Sequence, residues 1–398
     1  MKILIWSKQI ELKDTGGPSG YLYNLRDYLK KNPSEEIDFY PVDFKPIEKK
    51  TPKSGWKLAL RNFVKRIASP IRFYKYMRIN YIAKVPLTED DLKLIDKYDF
   101  VHVHYLSHIR QSFLNFNNGH TRIVLTTHNP EPLVDQLADE KGMAWSLKCI
   151  PGLRNFFIRK ELEAYDVVDY VMFPVAEALE PYINRSSLYS DKFKEIYRKI
   201  FYVPTALNTT DPCVENRGVL KEYDIPDKAL RVCYVGRHNE VKGYDTIQEL
   251  AKMVWKDNPN TYFIIGGKQE PMRGLNDYRW IELGWVHTHS LLNEVDCFLL
   301  PNKDTYFDLI LLEVLRQGTP VILTRTGGNR WYENKGFDGM FFYENGDLNT
   351  AKKHIDTLQK KKSQNEIRPL RKANYNQYKV RLSMEKYIAS YLETLKNL

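Results

Sequence analysis

Apolar residues along this chain fall in short blocks of four to eight, set between polar turns and longer stretches with helical spacing. In the first half the strand-like blocks lie at residues 2–6, 37–42, 100–104, 122–127 and 167–173. Between the first two, Tyr21, Leu22, Leu25 and Leu29 share one face of a helix that follows Gly16-Gly17-Pro-Ser-Gly20. The pattern restarts at residues 230–235 and continues at 262–265, 281–286, 297–300 and 321–323, with a helix carrying Ile247, Leu250, Ala251 and Val254 after the first of these. Residues 348–398 read as helices, with Met384, Tyr387, Ile388, Tyr391 and Leu392 on one face. Strands alternating with amphipathic helices predict parallel sheets and an α/β class. Residues 201–205 and the polar 208–212 read as the linker between two such halves.

One stretch organises the second half, from Asp304 to Thr324. A buried strand ends at Pro301, a turn follows, a helix starts near Asp308 and stops at Gly318, and a second strand begins at Val321. In parallel sheets ligands collect at the C-terminal ends of strands, and helix N-termini bind anions with free N–H groups and the helix dipole. Glu313 lies about one turn inside this helix, within reach of a ligand at that mouth.

The length of 398 residues exceeds what one core usually fills, which agrees with two domains. We expect an N-terminal domain over 1–207, a second over 208–380, and a C-terminal helix over 381–398 packing back on the first. No apolar run is long enough to span a bilayer, and the first apolar block is too short for a signal-peptide core. The four cysteines show no CxxC pairing, so a reduced, cytoplasmic chain is expected.

The formal charge of +10 changes the picture through its distribution. Residues 49–88 contain no Asp or Glu and carry Lys and Arg interleaved with aromatics. On a helix, Trp56, Leu60, Phe63 and Val64 share one face while Lys57, Arg61 and Lys65 stack on another, with Arg66 beside them. A basic amphipathic insert of this kind fits an anionic membrane surface, and a solvated helical insert is the plainer reading. Nucleic acid is not expected, because no recognised nucleic-acid module surrounds it. His102 and His104 share a strand face, as do His287 and His289; no third metal ligand is apparent beside either pair, so structural histidines are expected and no metal site.

The motifs of the second half resemble GT-B glycosyltransferases of family four. Gly236-Arg237 followed after four residues by Lys242-Gly243, the strand 295–300 with its closing Pro301, the run from Leu309 through Glu313 to Ile322, and Thr326-Gly-Gly-Asn329 fall in the family's order. In the first half the resemblance is limited to Gly16-Gly17 and Thr127-His128. It implies two facing Rossmann-like domains with an interdomain cleft, and transfer of a sugar from a nucleotide-sugar donor with retention, without a metal or other cofactor. By resemblance Arg237 and Lys242 clamp the diphosphate, Glu313 takes the ribose hydroxyls, and the Leu309 and Ile310 amides add phosphate donors. Backbone near Trp285 and Val286 meets the base, Gly16 and Gly17 let their loop approach the ligands, and His128 touches the transferred sugar. The acceptor implied is a glycan or lipid-linked glycan at the inner face of the cell membrane.

The sequence departs from the family at two places. The family's Glu eight positions before Glu313, a contact to the donor sugar, is Thr305, flanked by Asp304. The family's Gly before the phosphate-binding amides is Asp308, a carboxylate that can cap the helix or repel a diphosphate. Thr305 or Asp304 can take over the sugar contact; alternatively the donor is unusual, or the chain is a catalytically silent partner or glycan-binding subunit of the same fold.

Overall fold

The structure is a computed structural model and describes residues 1–8, 10, 12, 17–41, 73–75, 77–129, 131–140, 144–208 and 218–398. Trp56, Lys57, Arg61, Lys65, Arg66 and Gly16 therefore lie outside the described residues. The chain divides into two compact units, one holding Met1–Phe173, Leu179–Val203 and Lys396–Leu398, the other Pro174–Ala178 and Pro204–Leu395.

The first unit is a six-stranded sheet with β1 (Ile3–Trp6), β2 (Ile37–Phe39), β3 (Phe100–Val103), β4 (Arg122–Leu125), β5 (Tyr170–Phe173) and β6 (Ile200–Tyr202) in the order β2-β1-β3-β4-β5-β6. Every pairing is parallel. Both faces are covered, so β1 and β3 are buried at every position and read as unbroken apolar runs rather than alternating ones. β6 corrects the linker reading of residues 201–205: Ile200, Phe201 and Tyr202 pair with Val171, Met172 and Phe173 as an edge strand. At three residues the strand is short and Pro204 lies close behind it, which made it read as a connection. Helix α1 (Gly17–Lys31) begins at Gly17 itself, earlier than its apolar face suggests.

The second unit repeats the plan with β7 (Leu230–Val235), β8 (Thr261–Gly266), β9 (Trp280–Gly284), β10 (Cys297–Leu300), β11 (Val321–Thr324) and β12 (Met340–Tyr343), ordered β12-β11-β10-β7-β8-β9 and again all parallel. Helix α2 (Tyr244–Asp257) presses Ile247, Leu250, Ala251 and Val254, all fully buried, into a core shared with Val232, Phe263 and Leu299. Burying such side chains contributes about 1.5–3 kcal/mol each before chain entropy is counted.

In both sheets the strand order reverses at one point, between β1 and β3 in the first and between β7 and β10 in the second. At such a point the two following loops leave in opposite directions and open a crevice at the strands' carboxyl ends. The crevice of the second unit is bounded by residues 236–243 after β7 and 301–308 after β10. Among the described residues, no helix is long and apolar enough to cross a membrane.

Candidate functional site

The two loops of the second unit are tied together by backbone contacts. Gly243 sits at φ +68, and a Cβ there would meet the Pro301 carbonyl oxygen at 2.0 Å, so only glycine lets the loops close up. Lys303 adds a backbone bond of 2.9 Å to the Val241 carbonyl, and its Nζ reaches Asp245 at 2.6 Å. This apposition places Lys242 beside the start of α3 (Leu309–Arg316). Lys242 Nζ donates to Asp308 Oδ1 at 2.9 Å, with both side chains largely buried. Asn302 Nδ2 donates to the other carboxylate oxygen of Asp308.

Asp308 is the N-cap residue of α3, in extended backbone, and its side chain makes no capping bond. That corrects the helix-cap reading: the carboxylate turns back to Lys242 and Asn302 instead of onto its own helix. The first amides of an α-helix have no intrahelical acceptor, so Leu309 and Ile310 present their N–H groups at the same mouth where Lys242 lies. Leu311, Leu312, Val314 and Leu315 are buried, which leaves Leu309, Ile310, Glu313 and Arg316 along the partly exposed side. Glu313 thus stands one turn below the amides on the open face, where the sequence places it.

Arg237 is exposed, and its guanidinium makes no ion pair among the described residues. Its carbonyl accepts the Tyr234 hydroxyl at 2.7 Å. Burial raises the pKa of that hydroxyl; the negative charge of Asp308 raises it further and the positive charge of Arg237 lowers it. One hydroxyl therefore feels both charges, and Arg237, Lys242 and Asp308 share one electrostatic neighbourhood.

The remaining predicted residues divide. Thr305 is 1 % exposed; its hydroxyl donates to the Thr326 carbonyl at 2.9 Å and accepts the Asn329 amide at 3.4 Å. Thr305 is therefore a brace for the Gly327-Gly328 loop, whose missing Cβ atoms would fall 2.1 and 2.0 Å from the Thr305 and Tyr306 carbonyls. Asp304 beside it is partly exposed and is the one of the pair that faces outward. Trp285 is 72 % exposed with its ring 4.6 Å from that of His287, while Val286 lies over the end of β8 against Gly266.

In the first unit, α1 and the loop after β4 bring Tyr21, His104 and His128 together, with ring centroids 4.8 to 5.5 Å apart. Among the described residues, nothing lies within 4 Å of where a Cβ on Gly17 would stand. His128 holds φ +56, a left-handed conformation rare for a side-chain-bearing residue. Its neighbours are fixed by Tyr182, whose hydroxyl donates to the Asn129 carbonyl at 2.8 Å and accepts from Thr127 at 2.9 Å. His128 Nε2 lies 2.9 Å from His104 Nδ1. His104 Nε2 is buried and has no partner among the described residues. A bare lone pair is the smaller loss there than an orphaned N–H, which assigns the proton of His104 to Nδ1, donating to His128. His102 Nε2 lies 2.9 Å from Thr126 Oγ1, which itself donates to the Met172 carbonyl and so accepts from the histidine. The His-x-His spacing of 102–104 marks His104 as a structural histidine, whereas nothing in the local sequence marks Tyr182 or Asn302 as positioning groups. Among the described residues no group of three or more His, Cys, Asp or Glu could hold a metal ion.

Residues 219–378 match the family model described as glycosyl transferases group 1. A 126-residue alignment is 29 % identical to the lipopolysaccharide core biosynthesis glycosyltransferase LpsE of Rhizobium meliloti, covering 29 % of this chain and 36 % of that protein. The match thus spans about a third of that curated relative. Among solved structures the chain is similar to sucrose-phosphate synthase from Thermosynechococcus elongatus, with a TM-score of 0.62 and 16 % identity over 100 % of this chain and 99 % of that one. It is also similar to HepE of Anabaena in complex with UDP and glucose, with a TM-score of 0.57 and 13 % identity over 100 % of both chains. At these identities the structural likeness shows a common fold.

The three histidines give a prediction. Burial, helped by the positive field of a protonated His128, pushes His102 down to about 3; burial first, then its histidine neighbours, pushes His104 well below its ordinary value; burial moves His128 to about 3. In the unfolded chain a histidine takes up its proton near pH 6.5. The unfolded state therefore binds more protons than the folded state below about pH 6.5, and stability is lost as pH falls through that window. For His102 at pH 5 the loss is on the order of 2 kcal/mol. In thermal melts, His104→Gln should shrink the drop in Tm between about pH 7 and pH 5; an unchanged drop would show that these histidines do not set the acid limit.

Proposed function

We propose that this GT-B protein, whose residues 219–378 form a glycosyl transferases group 1 domain, moves a sugar from a nucleotide-sugar donor to a glycan or lipid-linked acceptor. The observation that carries the reading is the convergence of Arg237, Lys242 and the open Leu309 and Ile310 amides at the strand-order reversal of the second sheet. Cations and helix amides at such a crevice are suited to a diphosphate. Charge builds on the leaving phosphate as the sugar–oxygen bond breaks, and donors already aimed at it lower the barrier without reorganising. Arg237 and Lys242 supply the positive charge a metal would otherwise bring, so metal independence belongs to the proposal. Glu313 accepts the ribose hydroxyls. Retention follows if the leaving phosphate accepts the acceptor hydroxyl's proton on the same face that the sugar bond leaves. His128 is retained as the sugar contact that the family pattern implies. Asp304 replaces Thr305 in the sugar-contacting role.

A second reading is a silent partner of the same fold. It is favoured by one observation, that Lys242 is already paired with Asp308.

A thermal-shift series with UDP, GDP, ADP, TDP and CMP separates the two. One nucleotide should raise Tm, because ligand at about 100-fold its Kd stabilises by about 2.7 kcal/mol. Arg237→Ala should abolish the shift, and transfer from the matching nucleotide-sugar should survive EDTA. Saturating ligand without any shift, in a folded sample, supports the silent partner.

The basic, aromatic residues 49–72 are proposed to bring the chain to an anionic membrane surface at the cytoplasmic face, since Phe73, Met77 and Tyr81 of the same stretch are buried in the first unit. Deleting residues 49–72 should abolish cosedimentation with liposomes containing anionic lipid. Equal binding by the deletion variant would refute that assignment.

A further inference from the structure

Lys242 is the cation that the second unit aims at a diphosphate, and it is already bonded to an anion of the protein itself. Its Nζ lies 2.9 Å from Asp308 Oδ1, with Lys242 and Asp308 side chains 24 % and 17 % exposed. An aspartate at a helix N-cap ordinarily turns its carboxylate onto its own helix's amides. Here it makes no such bond. The amides of Leu309 and Ile310 are left for an external acceptor, while the carboxylate occupies the lysine.

The two partners are not equally held. Asn302 is 1 % exposed, donates Nδ2 to Asp308, and is itself anchored through its carbonyl by the Thr324 hydroxyl. Its Oδ1 is buried with no partner. Asp308 is thus fixed from behind by a buried amide, and its charge extends to the buried Tyr332 hydroxyl, whose pKa is raised mainly by burial and further by Asp308. Lys242 has no second side-chain partner among the described residues; its ammonium sits on a flexible four-carbon stem that can swing without moving the backbone. The backbone beneath it is set by the bond from the Lys242 amide to Asn239 Oδ1 at 2.9 Å.

We infer that Asp308 is a built-in counter-anion of the donor site, which holds Lys242 at rest and yields it to an entering diphosphate. The identity of the ligand rests on the nucleotide-sugar reading above; the exchange itself concerns any diphosphate. In the exchange the Nζ–H bond to Asp308 breaks, one to a phosphate oxygen forms, and the proton stays on the lysine throughout. A diphosphate carries more than one negative charge and draws Arg237 and the two helix amides as well as Lys242, so it can outcompete a tethered carboxylate. Once displaced, Asp308 keeps its bond from Asn302 and faces the phosphate as a like charge. That repulsion acts on the nucleoside diphosphate product as well as on the donor. Asp308 therefore lowers product affinity and speeds its release, at the cost of a weaker resting grip.

The test measures binding of inorganic pyrophosphate, which needs no knowledge of the base, and of UDP by calorimetry. The proteins are the full chain and its Asp308→Asn, Lys242→Ala and doubly substituted variants. Asparagine removes the charge and keeps one oxygen to accept from Asn302, while its NH2 group replaces the oxygen that faces Lys242. Asp308→Asn should bind pyrophosphate at least tenfold tighter than the wild type, and in the Lys242→Ala background the same substitution should give a clearly smaller gain, the part due to direct repulsion of the phosphates. Should Asp308→Asn fold poorly by circular dichroism, Asp308→Ser serves in its place. Equal or weaker pyrophosphate binding by a folded charge-neutral variant overturns the inference and makes Asp308 a support that positions Lys242. A tenfold gain in a protein that transfers no sugar sustains the inference while defeating the glycosyltransferase reading. Transfer without the gain does the reverse.

Discussion

The ion pair between Lys242 and Asp308 is the constraint around which the second unit's site is arranged. At a separation of 2.9 Å and an effective dielectric of 20, the gross attraction is roughly 6 kcal/mol, most of which desolvation offsets. The pair's structural consequence exceeds its net stabilisation. It can form only because Gly243 lets its loop lie against Pro301, which brings the loop after β7 to the loop after β10. Those two loops leave the sheet at the strand-order reversal, so the topology itself delivers Lys242 to the mouth of α3. An unpaired, largely buried lysine there would be costly. Asp308 removes that cost and leaves Arg237 as an exposed cation of the same loop.

The first unit solves a related problem without charge. His102, His104 and His128 are held neutral by burial, and each is assigned a donor or acceptor role by one neighbour: Thr126 for His102 and the His104–His128 contact for the other two. Tyr182 pins the carbonyl and hydroxyl on either side of His128, which holds a left-handed backbone that a flexible loop would abandon. Rigidity at His128 thus comes from a helix some fifty residues further along the chain.

Much of this was legible in the sequence, for a physical reason. A parallel sheet covered on both faces writes its strands as continuous apolar runs, so β7, β8, β10 and β11 stand out directly. The edge strands β6 and β12 did not: both are apolar throughout, but they are only three and four residues long, and β6 passed for a linker. Of the candidate site, Glu313 and Asp308 were placed by the helix boundary, while Arg237 and Lys242 entered through the family resemblance of their loop. What escaped was the pairing among them. Sequence alone left Asp308 as either a cap or a repellent, since the direction of its carboxylate depends on a loop 66 residues earlier. The pairing of Thr305 escaped for the same kind of reason: its partners, Thr326 and Asn329, sit beyond the next strand. Tyr182 carries no local mark of its task.

The most direct test of this account is a crystal structure of the chain with a bound nucleoside diphosphate, read at the Lys242 ammonium. The account predicts Nζ within about 3.2 Å of a phosphate oxygen, the Leu309 and Ile310 amides at similar range, and the Asp308 carboxylate beyond hydrogen-bonding distance of Lys242 while still held by Asn302. A diphosphate bound elsewhere in the second unit, with the Lys242–Asp308 bond intact, would contradict it.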